Sequence, residues 1–233
     1  MSPAPPIVTP LTYSIALVFA PRSVSPGGKM EVSMDFPSNV REVLVQIFGD
    51  PVHTNVNFTP VGISAVVPAN PPNAKIVEVT PLKIMAQTPL PNETAHALAT
   101  VYREFFKAQK VVKFMAYGLN YELEFFLPGV SDTAKWLAER FIIGNLATPP
   151  QWNVARGEIA FSINHQEGFQ RNIKLQPRMN RINGFFASVN NHITVPADVQ
   201  ADDENAWIQA LQNEYLKTTA FLVELLGDLP PKK

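Results

Sequence analysis

Few residues in this chain are spaced for chemistry. Four histidines stand at positions 53, 96, 165 and 192. Counting forward, none has a histidine or an acid at i+3 or i+4, the spacing that would put two ligands on one helical face. His165 and Glu167 share a turn, which places neither on a rigid element. Each histidine therefore reads as a surface or structural residue, and no metal site is expected. Glu122 and Glu124 share one face of a strand, about 7 Å apart by strand rise. That spacing is open to paired-carboxylate catalysis. The preferred reading is a polar stripe opposite Tyr121, Leu123 and Phe125. The chain has no cysteine, which excludes disulfides, thiolate metal sites and cysteine nucleophiles. It contains no Gly-x-Ser-x-Gly elbow, no phosphate loop and no Gly-x-Gly-x-x-Gly turn. No catalytic residue and no cofactor are expected on these grounds.

The clearest charge feature is a basic run, Arg171, Lys174, Arg178 and Arg181, interleaved with Asn172, Asn180 and Asn183. Residues 151–195 carry five basic and two acidic groups, while residues 196–228 carry seven acidic and one basic. The formal charge of -1 thus hides two segregated patches. One reading gives the run an anionic partner, either an acidic protein or nucleic-acid phosphate. The other lets the basic hairpin pair with the acidic helix that follows it, or leaves it as a solvated face. The aromatic stripes Tyr102, Phe105, Phe106 and Trp207, Tyr215, Phe221 are core positions first. A cavity between the sheet and the last helix would be lined by Phe125, Trp207 and Leu211.

These residues need elements to position them. Tyr13–Phe19 is β-branched and aromatic and reads as a strand. Residues 1–10 (MSPAPPIVTP) read as a flexible, proline-rich tail. Ser25-Pro-Gly-Gly28 is a turn. Asn39 with Glu42 fits a capping box for a helix carrying Val40, Val43, Leu44 and Ile47. Asn55–Val67 reads as one strand. Lys75–Val79 and Leu82–Ala86 are extended pieces, and Pro81 between them suggests a sheet edge or a bend. A helix starting at Asn92 or Thr94 carries Ala95, Leu98, Tyr102, Phe105 and Phe106. Val111–Leu127 is a strand pair, or one long strand with a bulge at Gly118. Ser131 or Asp132 caps a helix that ends at Gly144. After Pro149-Pro150 come a strand over Ala155–Asn164, a turn, a hairpin partner over Phe169–Leu175 and a third strand over Ile182–Val195. The last helix, 24 residues long, carries Trp207, Leu211, Tyr215, Thr218, Leu222 and Leu225 and stops at Gly227.

The resulting fold class is α+β, an antiparallel sheet with long helices on one face. Residues 11–110 and 111–228 form two halves of one globular unit, and each reads β-α-β-β-β-α. In outline this order resembles the saddle of the TATA-binding-protein fold, and a single helix-grip domain has a related order. The resemblance is one of element order, carries no family motif, and assigns no function.

Composition sets the frame. Of 22 prolines, 15 fall within the first 91 residues, which hold only ten charged side chains. At 46% hydrophobic and 10% aromatic, the chain can bury a sizeable core. No apolar run approaches the length of a membrane span, and no basic region precedes Leu11–Ala20 as in a signal peptide. A cytoplasmic location is expected, with no membrane partner. The functional expectation is a non-enzymatic binding or assembly protein, a subunit of a homo- or hetero-oligomer that has a protein partner or self-associates. A small-molecule carrier with a helix-grip-like cavity and nucleic-acid binding through residues 171–181 are the alternatives.

Overall fold

A computed structural model describes residues 6–19, 38–60, 62–69, 73–106, 114–138, 141, 158–166, 168–178, 183–194 and 201–227. The elements run β1 (Ile7–Phe19), α1 (Val40–Gln46), β2 (Asn55–Thr59), β3 (Gly62–Val67), β4 (Lys75–Thr80), β5 (Lys83–Thr88) and α2 (Pro91–Val101). They continue with β6 (Phe114–Phe126), α3 (Thr133–Leu137), β7 (Ile159–Gln166), β8 (Phe169–Pro177), β9 (Gly184–Thr194) and α4 (Glu204–Gly227). A π-helical turn, Tyr102–Phe106, follows α2 directly.

The nine strands form one sheet in the order β2-β3-β4-β5-β1-β6-β9-β8-β7. Every pairing is antiparallel. The α+β class read from the sequence is therefore found. The two longest strands, β1 and β6, lie side by side in the middle. Period-two alternation buries Tyr13, Ile15, Leu17 and Phe19 of β1 with Leu119, Tyr121, Leu123 and Phe125 of β6. Helical side chains close over these residues. Phe19 stacks on Phe106 at 4.5 Å between centroids, and Tyr13 and Tyr121 both meet Tyr215 of α4, at 5.9 and 6.0 Å. α2 packs on β1 and β5 and touches α4. Its small residues Ala95, Ala97 and Ala99 are all buried, which lets it lie close.

Several elements differ from the sequence reading. β1 begins at Ile7, inside the stretch read as a tail, and Pro10 sits beside a register shift where Leu11 is the extra residue. Residues 55–67 are a hairpin of two strands, because Pro60 cannot extend a ladder and a turn replaces it. Pro81 likewise lies in a turn, so β4 and β5 are interior strands. Asn39 makes no side-chain capping bond, whereas the Asp132 carboxylate accepts from the Lys135 amide at 3.0 Å as expected. β6 is continuous through Gly118. Its irregularity lies at Met115, where Val18 and Phe19 of β1 face Ala116 and Phe114. The bulge turns Phe114 to the same side as Tyr117, so both reach the Trp207 ring, at 6.3 and 5.3 Å. The turn at residues 25–28, the helix end at Gly144 and the Pro149-Pro150 junction lie outside the described residues. No helix among the described residues is long and apolar enough to cross a membrane.

The two faces of β6 should respond differently to truncation. Leu123→Ala is expected to cost about 2–5 kcal/mol, because a fully buried side chain leaves a cavity. Met115→Ala, half exposed at the bulge, should cost less than about 0.5 kcal/mol. Urea denaturation of both variants checks the contrast.

Candidate functional site

Two periodicities bring opposite charges to the inside of the molecule. In β8, Arg171, Ile173 and Leu175 are buried, while Lys174 between them is exposed. In α4 the buried stripe is Trp207, Leu211, Glu214, Thr218 and Leu222. Each element thus carries one charged residue at a core position, and the two meet. Arg171 Nη2 donates to Glu214 Oε1, with both side chains less than a tenth exposed. Arg171 Nε donates to Asn191 Oδ1 at 2.8 Å. Asn191 is the register partner of Arg171 on β9, and its Nδ2 reaches Thr218 Oγ1 at 3.4 Å. The rings of Phe169 and Phe221 stand 5.4 and 5.6 Å from the guanidinium carbon, within cation–π range. Lys217 Nζ lies 3.8 Å from the other Glu214 oxygen.

This cluster forms part of a groove of about 730 Å³ between α4 and strands β6, β8 and β9. Tyr117, Leu119, Ile193, Ala210 and Phe221 contribute to its walls. The volume lies within the range of small-molecule pockets. Phenols crowd the same region. The Tyr121 hydroxyl donates to the Leu211 carbonyl at 2.9 Å. Burial pushes its phenol far above the ordinary value, and the Glu214 carboxylate adds to the shift. Burial raises Tyr117 first, with Glu214 again contributing. Tyr13 and Tyr215 are also raised by burial.

The other expected site residues are dispersed. Lys174 pairs with Glu158 at 2.9 Å, and Arg178 Nε lies 3.3 Å from Glu124 Oε1. Arg171, Lys174 and Arg178 therefore each sit beside a carboxylate of this chain, and Arg171 points away from the other two. Arg181 lies outside the described residues. Phe125, Trp207 and Leu211 are packed in the core, and Trp207 Nε1 donates to the Ala201 carbonyl at 3.0 Å. None of the three lines the groove. Glu122 and Glu124 do not act as a pair: the Thr12 hydroxyl donates to Glu122 at 3.1 Å, and Glu124 turns to Arg178.

Two histidines do have acid neighbours. His53 Nδ1 lies 2.9 Å from Asp50 Oδ1, an i−3 pairing that a forward count misses. The hydrogen bond to His53 holds the Asp50 carboxyl below its usual value. His96 Nδ1 lies 3.2 Å from Glu204, which also accepts from Arg103 at 3.2 Å. Among the described residues, no group of three or more acids and histidines could hold a metal ion. No family model and no curated protein matches this chain.

The buried pair sets up a stability experiment. Glu214→Leu alone strands Arg171 in the interior and should cost about 3–5 kcal/mol. Adding Arg171→Met should recover most of that loss, as read from denaturation midpoints of the single and double variants. The phenols set up another. Their folded pKa values are raised, so their contribution is complete below the ordinary value of 10 and is lost as pH rises above it. Stability is expected to fall on the alkaline side of pH 10, and Tyr121→Phe should make that fall shallower.

Proposed function

We propose that this chain is a non-enzymatic assembly protein that self-associates by joining its sheet to that of a second copy. The observation that carries the reading is the state of the sheet edges. An edge strand presents an unpaired row of backbone donors and acceptors, which proteins usually protect with lysine, proline or a very short strand. The edge strand β7 runs for eight residues, IAFSINHQ, without proline, lysine or any acid. Among the described residues its only strand partner is β8. Ile159, Phe161 and Ile163 pack against the core yet stay only partly buried at this end of the sheet. A second β7, antiparallel across a twofold axis, would continue the ladder and cover these side chains. Such an isologous contact closes as a dimer. The opposite edge, β2 (NVNFT), is shorter, and a β2–β7 contact would be head-to-tail and open-ended.

The subunit in this reading consists of two similar halves. From the seam outward, β1-β5-β4-β3 in one direction has the same sequence logic as β6-β9-β8-β7 in the other. Each half places its first strand at the seam, its last strand next to it, and then closes with a helix. The first half adds β2. We take both long helices, α2 and α4, to lie on one face of the sheet.

Mass measurement of the purified chain in solution tests this. The wild type is expected to be a dimer. Ser162→Lys with Asn164→Lys sets like charges opposite one another across a β7–β7 contact. This variant should be monomeric with an unchanged far-UV circular dichroism spectrum, while Asn57→Lys on β2 should remain dimeric. A monomeric wild type, or a β7 variant that still dimerises, would overturn the proposal.

A further inference from the structure

The groove beside α4 carries more than a packing role, and the inference from it is independent of the assembly reading. We propose that it binds a small amphipathic carboxylate, with its head group at Arg171 and its apolar body along α4. Asn191 takes Nε of the guanidinium and Glu214 takes Nη2, while Nη1 donates to no described residue. Arg171 is itself part of the groove lining. An arginine held by an amide, a carboxylate and two rings has little freedom left to lose, so it is organised in advance for one more acceptor. A carboxylate oxygen is the acceptor that such a fork takes best.

Local charge favours a single negative group. Around the head-group position stand two cations, Arg171 and Lys217, and one anion, Glu214. Glu224, the remaining charge in the lining, sits about 15 Å further along the helix than Glu214 at 1.5 Å per residue. The rest of the wall suits an apolar body: Leu119, Ile193, Ala210 and Ala220 with the Phe169 and Phe221 rings. The ligand is thus a monocarboxylate with an alkyl or aryl body, and its polar end is selected by Arg171.

Isothermal titration of the intact chain with decanoate, decanol and decylamine, each below its micellar concentration, tests the proposal. Decanoate is expected to bind at one saturable site. Decanol should bind roughly tenfold or more weakly for loss of the charge-assisted hydrogen bond, and decylamine should not bind. Arg171→Met strands Glu214, so the deciding variants are made at exposed positions of α4. Ala220→Trp fills the groove and should abolish decanoate binding while the melting temperature holds. Lys217→Met should weaken decanoate severalfold and leave decanol unchanged. Absence of saturable decanoate binding, equal affinity for decanoate and decanol, or unchanged binding by Ala220→Trp would each overturn it.

Discussion

The pairing of β1 with β6 forms the seam from which the sheet is built in both directions. It sets the strand that begins at Ile7 beside the one that begins at Phe114, in the middle of a nine-stranded sheet. β5 can pair only with the remaining edge of β1, and β9 only with the remaining edge of β6. All further strands are added outward from those two. The same pairing brings Tyr13 opposite Tyr121, and the two rings meet edge-to-face at 5.9 Å. Tyr215 of α4 closes on both, which ties the last helix of the chain to its first strand. A one-residue slip of β1 against β6 would turn Ile15 and Leu17 out of the core and bring polar neighbours in, so the register is strongly held.

Within that frame, the Arg171–Glu214 pair ties α4 to β8. A buried ion pair is a weak source of net stability, since desolvation of both charges offsets most of their attraction. Its value lies in what it forbids. Any packing of α4 that separates the two leaves a charge alone in the interior, together with the Asn191 amide and the Thr218 hydroxyl that complete the cluster. Polar side chains at the centre of an aromatic layer therefore define one arrangement of helix on sheet.

Much of the fold was legible because period and punctuation agree locally. The 24-residue α4 follows from its i, i+3, i+4 stripe and the glycine that ends it. β8 and β9 follow from alternation, and their hairpin with β7 from Gly168, whose φ of 81° suits a residue without a side chain. The phase change in β6 was visible too, but sequence alone attached it to the glycine. The bulge lies at Met115, the residue that the pairing with β1 skips. The candidate site was legible in a way that residue typing hides. Arg171 shares its parity with Ile173 and Leu175, and Glu214 falls between Leu211 and Thr218 on the apolar stripe. Treated as members of a basic run and an acidic run, they look like surface charges. Treated by position, both point inward.

Short-range pattern was enough for most of the strands and helices, the α+β class, the absence of thiol chemistry and the segregation of charge. Those properties depend on neighbours within a few residues, where side-chain period and backbone preference act. The tertiary structure decided the strand order, the interior place of β4 and β5, and the meeting of Arg171 with Glu214 at 43 residues' separation. It also decided which positions line a groove and which fill the core: Phe125, Trp207 and Leu211 are packed, while Tyr117, Phe169 and Phe221 stand at the groove. The physical reason is that burial is a property of the assembled layers. A periodic apolar stripe says which way a side chain faces, but what it faces is set by elements far away in the chain.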